Sequence, residues 1–222
     1  MKKKNKKFDQ MDCLVERSGL SPQEVGKYSP KKAEVSPSSV SYKTPQQVLP
    51  GMYVYADGLI SAELIAGCQV KAVVGYVEGK TVYALCLRET RLPWSSDWLE
   101  AKATQNMADG QEATRKILEI SRKKRQKAEA AQWCYGYAED GVKQGEAFLP
   151  SFAEWKKLFA NKAAINQSLQ MLGVFILADC YWSSKESEDI YAWKMFLVNG
   201  CGWGRNVKDI RNDVRAMIKI KL

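Results

Sequence analysis

Tyr181-Trp182-Ser183-Ser184, then Tyr191-Ala192-Trp193, then Asn199-Gly200, then Asp213-Val214-Arg215-Ala216: the C-terminal part of this chain alternates aromatic, small and polar residues between glycine turns. A period of two with turn residues at its breaks is the signature of strands. Residues 192–198 alternate around Trp193 and Phe196, and Asn199-Gly200 supplies the chemistry of a tight hairpin. Residues 214–222 set Val214, Ala216, Ile218, Ile220 and Leu222 against charged neighbours, which reads as a half-buried strand. The stretch predicts a sheet that displays a surface, not a pocket built for chemistry. Trp182, Trp193 and Phe196 are read as core residues, because large aromatics mostly sit inside.

Upstream, the pattern changes twice. Residues 1–50 hold five of the seven prolines and ten Lys+Arg against five Asp+Glu, so more than half of the net charge of +9 lies there. Such a segment lacks the apolar content to fold alone and reads as a basic arm that docks into an assembly. From Gly51 the chain is globular in composition. Residues 52–55 read as a strand and Asp57-Gly58 as a turn. Residues 70–77 and 81–88 form a hairpin about Glu78-Gly79-Lys80. Residues 111–135 read as helix, interrupted by an exposed basic turn at Arg122-Lys123-Lys124-Arg125. Ser151-Phe152-Ala153-Glu154 is a capping box that opens a second helix, with residues 162–172 continuing it to Gly173. Residues 174–177 read as a buried strand.

The chain has no histidine. That excludes Ser-His-Asp and Cys-His catalysis within one chain and leaves acid-base work to Asp, Glu, Lys or Tyr. The six cysteines (Cys13, Cys68, Cys86, Cys134, Cys180 and Cys201) are widely spaced, with no C-x-x-C pair, so they read as reduced core residues and not as zinc ligands. No cofactor or metal is expected. Gly200-Cys201-Gly202-Trp203-Gly204 lacks the spacing of a dinucleotide-binding loop. No apolar run reaches membrane-spanning length, and Phe8-Asp9-Gln10-Met11-Asp12 follows the basic start where a signal peptide would be apolar. The expected location is therefore cytoplasmic at synthesis, with virion association as a second destination.

The order of these motifs carries a resemblance: a hairpin, a helix ending in Ala130-Ala131-Gln132-Trp133-Cys134, Phe148-Leu149-Pro150-Ser151 opening another, then Tyr181-Trp182-Ser183-Ser184, Ala192-Trp193, Asn199-Gly200 and Val214-Arg215-Ala216. Over about residues 51–222 it resembles the bacterial and phage branch of the C-type lectin fold, and is similar to Bacteroidales lectin-like proteins and retroelement-diversified variable proteins. The resemblance implies an α+β domain of two helices packed on a twisted antiparallel sheet with paired terminal strands, preceded by the Pro/Lys-rich extended arm. It implies a binding protein and not an enzyme, of receptor-recognition or adhesion type, such as a phage or prophage tail component. The formylglycine-generating cysteine pair and the Glu-Pro-Asn calcium triplet of related proteins have no match here.

In diversified proteins the mutated adenines lie in Asn-type codons, which cannot yield Met, Trp, Lys, Glu or Gln. Lys194, Met195, Trp203 and Lys208 fall outside such a set. Ser187, Asp189, Tyr191, Leu197, Asn199, Cys201, Gly202, Arg205, Asn206, Asp209 and Asn212 are compatible with it. The expected ligand-binding residues are Ser187, Asp189, Tyr191, Asn199, Cys201, Trp203, Arg205, Asn206, Asp209 and Asn212. Tyr, Trp and Arg are frequent interface anchors, and Ser, Gly and Asn add adaptable hydrogen bonds. For Trp203 and Arg205 the surface reading and the structural reading are equally good. The expected partners are a protein or glycan at this surface and further copies or an assembly through the arm, with no membrane span. The alternative is an intracellular scaffold or nucleic-acid-associated protein using Lys2 to Lys7 and the basic run 122–125.

Overall fold

The computed structural model describes residues 47–197 and 202–222. Residues 1–46 of the N-terminal arm, and Asn199-Gly200, where a hairpin turn is expected, lie outside the described residues. Strands β1 (Tyr53–Tyr55), β2 (Ile60–Ser61), β3 (Val70–Glu78) and β4 (Thr81–Leu92) come first. Four helices follow: α1 (Gly110–Lys124), α2 (Glu129–Gly136), α3 (Phe152–Ala160) and α4 (Lys162–Met171). Strands β5 (Cys180–Glu188), β6 (Tyr191–Phe196), β7 (Gly202–Val207) and β8 (Asn212–Lys221) complete one eight-stranded sheet. Its order is β2-β1-β3-β4-β8-β5-β6-β7.

Strand alternation sends side chains to two separate cores. Ala72, Val74, Val82, Ala84, Cys86, Val214, Ala216 and Ile218 face one side, where Ile117 of α1 and Ala130, Ala131 and Cys134 of α2 cover them. Val70, Val73, Tyr76, Leu85 and Met217 face the other, beneath Trp155 and Leu158 of α3 and Ile165 and Leu169 of α4. A sheet covered on both faces needs strands that are apolar at nearly every position. Strand β3 meets that requirement, being buried from Ala72 to Tyr76.

This architecture overturns the two-helix C-type lectin expectation. Among the described residues there are four helices, two on each face, and the sheet is mixed. The terminal strands do not pair with each other: β1 pairs with β2 and β3, whereas β8 lies between β4 and β5. Nor is β8 half-buried; it is buried from Asn212 to Ile218. Its charged residues mimic a solvent face in sequence, but their partners come from distant segments. Residues 174–177 form no strand. The basic run is not a loop between helices. It forms the last turn of α1 and its cap, with Arg125 left-handed at φ 55°, and cations there complement the helix dipole.

Other local expectations hold. The β3–β4 hairpin closes with Glu78 opposite Thr81, with Gly79 at φ 58°. Within β3 the register shifts between Val74 and Tyr76, and Gly75 sits at that irregularity. A Cβ there would press into Leu158 Cδ2 of α3 and lie 3.2 Å from the Tyr83 carbonyl oxygen. Gly75→Ala is therefore expected to cost about 1–3 kcal/mol through overpacking, read as a lower urea midpoint with unchanged slope.

One seam in the sheet is thin. Strands β5 and β8 run parallel and share one registered pair, Tyr181 with Asp213. Side chains reinforce it. The indole N–H of Trp182 donates to the Leu92 carbonyl at 3.0 Å, that of Trp94 to Ser183 at 2.9 Å, and that of Trp155 to Trp182 at 3.0 Å. The Tyr181 hydroxyl donates to Glu89 at 2.7 Å. Three buried tryptophans thus bond β5 to β4, to the loop after β4 and to α3.

Candidate ligand-binding surface

Helix α3 begins where its sequence dictates. The Ser151 hydroxyl accepts the Glu154 N–H at 3.1 Å, and the Glu154 carboxylate accepts the Ser151 N–H at 2.7 Å. The same carboxylate accepts the Gly110 N–H at the start of α1. Burial raises the Glu154 pKa, against these bonds and the Lys219 charge, which lower it. With the helix start fixed, Trp155 and Leu158 enter the core. Phe152 and Lys156, four residues apart on a neighbouring face, meet the sheet at β6 and β7.

Strands β6 and β7 place Met195 opposite Trp203, Trp193 opposite Arg205 and Tyr191 opposite Val207. Period two then brings Tyr191, Trp193, Trp203 and Arg205 to the face that carries α3. The Phe152 ring lies 5.5 Å from Trp193, tilted at 52°, and 6.0 Å from Trp203, edge-on at 87°, centroid to centroid. The Lys156 ammonium stands 4.8 Å from the Phe152 ring and 4.7 Å from the Trp203 ring. Lys185 of β5 stands 6.0 Å from Phe152 and 5.6 Å from Trp193. Trp203 is 52% exposed, unusual for the largest apolar side chain. The result is a three-ring platform flanked by two lysines, at one edge of the sheet.

The flank of this platform is pinned by a buried ion pair. Lys208, just past β7, is fully buried and bonds Glu186 at 2.5 Å, the Leu99 carbonyl at 2.8 Å and the Asp189 carbonyl at 2.7 Å. Glu186, also fully buried, accepts the Ala101 N–H at 2.8 Å. Burial lowers the Lys208 pKa and the Glu186 carboxylate opposes that shift. The pair ties β5, the β5–β6 turn and the 93–105 loop to the end of β7.

The structure brings only some of the expected site residues together. Tyr191, Trp203 and Arg205 share the platform face. The Arg205 guanidinium lies 5.6 Å from the Tyr191 ring and pairs with Glu188. Ser187 and Asp189 adjoin it in and after β5. The Ser187 carbonyl accepts from Gln105 at 3.1 Å, and the exposed Asp189 carboxylate reaches Lys102 at 3.4 Å. Asn206, opposite Ala192, points to the other face. Asp209 is exposed in the turn before β8, and Asn212 is buried, accepting from Lys194 at 3.3 Å. Asn199 and Cys201 lie outside the described residues.

Phe152, Lys156 and Lys185 were absent from the sequence-based set, and Trp193 stood there as core. Trp193 and Phe196 are half-buried, while Trp182 is fully buried. The capping box was the available signal for Phe152 and Lys156, since it fixes which residues share an α3 face.

Other features have different characters. A cleft of about 310 Å³ between α1 and α2 is lined by Arg115, Leu118, Ser121, Arg122, Gln132 and Tyr135. Half of the adjoining basic run is neutralised, Lys123 by Glu119 at 2.5 Å and Lys124 by Glu100 at 3.3 Å. Cys86 and Cys134 are buried and free, and burial raises both thiols. Cys180 is half-buried and Cys68 exposed. Among the described residues no group of three His, Cys, Asp or Glu side chains is placed to hold a metal, and no helix is long and apolar enough to cross a membrane.

No protein-family model matches the chain, and no curated protein matches it in sequence. Among solved structures, a fimbrial protein from Bacteroides ovatus ATCC 8483 is similar, with a TM-score of 0.63 and 13% identity. The match covers 78% of this chain and 49% of that one, so this chain spans about half the length of the fimbrial protein. At that identity the likeness is one of fold. It places the sheet-rich architecture beside a fimbrial protein's, and the C-type lectin expectation is not met.

Proposed function

We propose that this chain is a binding module of adhesion type, and not an enzyme, whose contact surface is the platform of Phe152, Trp193 and Trp203. The observation that carries this reading is Trp203: a large aromatic left half exposed on the edge strand, beside two further rings, is a costly arrangement for a surface without a partner. Aromatic anchors supply contact area with little rotamer entropy to lose. The buried acids Glu89, Glu154 and Glu186 are engaged in structural bonds. The fold neighbour being a fimbrial protein supports surface adhesion as the setting, with residues 1–50 as the assembly segment.

The test is retention of purified protein on immobilised mucin, matrix proteins and polysaccharides. Trp203→Ala should lower retention on the recognised material about tenfold or more, as loss of an interface anchor does, with an unchanged circular dichroism spectrum. Undiminished retention of the variant, or no retention of the natural chain on any of these materials, would sink the reading.

A further inference from the structure

From the charges around the platform we infer that its ligand is an acidic saccharide, carrying carboxylate or sulfate groups on its sugar rings. This inference rests on the adhesion reading and narrows it.

Three observations lead there. First, the platform is built of rings on fixed elements, one on α3 and two on adjacent strands, with neighbouring centroids 5.5 and 6.0 Å apart. The Phe152 plane stands at 52° to Trp193 and 87° to Trp203, so the rings line a corner, where a pyranose can lay its apolar C–H face on one indole while its hydroxyl rim stays in water. Second, Lys156 and Lys185 bracket the rings and have no acidic partner among the described residues. An ammonium over a ring gains modestly from the π face. It gains more from an ionised oxygen, because charge-assisted hydrogen bonds are about twice as strong as neutral ones. Third, the carboxylates near this face in sequence are already engaged: Glu188 by Arg205, Glu186 by the buried Lys208, and Glu154 by the Ser151 N–H of its capping box. An anion at the rings therefore meets two ammonium groups that have no acidic partner among the described residues.

A neutral glycan would use the rings and leave both lysines idle. An acidic peptide would use the lysines, but a run of flexible carboxylates has no ring face to lay on Trp203 and Trp193. Anionic sugar rings use both features at once. The carboxylated and sulfated forms share this chemistry, and the experiment separates them.

The experiment is tryptophan-fluorescence titration of the full chain with oligogalacturonate, heparin-derived oligosaccharides, maltohexaose and poly-glutamate. Saturable binding of one or both acidic saccharides is expected, at least tenfold tighter than maltohexaose or poly-glutamate, weakening as salt rises. Lys156→Glu and Lys185→Glu should each lower that affinity about tenfold. Both residues lie outside the core, and a circular dichroism spectrum checks their folding. Oligogalacturonate alone binding assigns carboxylate, and heparin fragments alone assign sulfate. The inference is overturned by equal affinity for maltohexaose, by equal affinity for poly-glutamate, by no saturable binding of either acidic saccharide, or by charge-reversed variants that bind as the natural chain does. If acidic saccharides fail while Trp203→Ala still abolishes retention on immobilised material, only the ligand class is wrong. If Trp203→Ala leaves retention intact, the adhesion surface itself is wrong.

Discussion

Arg215→Ala is expected to lower the free energy of unfolding by about 3–5 kcal/mol, the usual cost of removing one partner from a buried ionic site. Strand β4 contains an irregularity opposite β8: Leu85 faces Met217 and Glu89 faces Arg215, so three residues of β4 oppose one of β8. The carbonyls of Cys86 and Leu87 lie in that bulge. The fully buried Arg215 guanidinium takes them at 2.9 and 2.6 Å, takes the Phe175 carbonyl at 2.7 Å, and reaches Glu89 at 3.3 Å. Truncation takes this donor from the buried Cys86 and Leu87 carbonyls and from the part-buried Phe175 carbonyl, and removes the Arg215 charge from beside Glu89; buried unsatisfied groups cost about 1–3 kcal/mol each. Arg215→Lys should recover only part, because an ammonium cannot span a planar fork. Equilibrium urea unfolding decides the matter; a loss for Arg215→Ala below about 1 kcal/mol, the scale of a surface substitution, would contradict this account of the β4 bulge.

Lys208→Met is expected to cost a similar amount, about 3–5 kcal/mol, and to loosen the platform as well. The methionine keeps much of the aliphatic stem but leaves the buried Glu186 carboxylate facing the Ala101 N–H and the more distant Gln105 amide, at 2.8 and 3.5 Å. The carbonyls of Leu99 and Asp189 lose their donor. Because the charge left behind does the damage, the double variant Lys208→Met with Glu186→Gln should lose less than the two single losses summed. Strict additivity in a double-mutant cycle would show that the pair is not coupled.

Much of the fold was legible because its signals are local. The β3–β4 hairpin declares itself through apolar β-branched runs about a glycine turn, and α3 through Ser151 and Glu154, whose capping bonds form within four residues. The sheet order was not legible. Arg215, Lys208 and Glu186 look like surface charges in sequence, and nothing near them reveals that Cys86, Leu99 and Ala101 supply their bonds. Reading β8 as half-buried therefore followed correctly from local pattern and failed on long-range contact. The two-helix fold failed for a related reason: helix pairs were recognised, but only the two cores reveal that each pair covers its own face. Of the residues read as ligand-binding, Tyr191, Trp203 and Arg205 share one face because they lie at alternate positions on adjacent strands of one meander. Phe152, Lys156 and Lys185 join them through tertiary packing, which composition does not encode.

The position of β8 also governs how the molecule can be made. Translation delivers β1–β4 first and β5–β7 later, yet the strand that joins these halves comes after both. Thr81 must wait for Lys221, its register partner 140 residues onward. Until then β4 and β5 each present an open edge, and growing chains on one messenger are the nearest strands able to fill it. From the completion of β4 until β8 emerges, a nascent chain of this protein lacks the strand at the centre of its sheet, and whatever shields those two edges on the ribosome governs how much of it reaches the folded state.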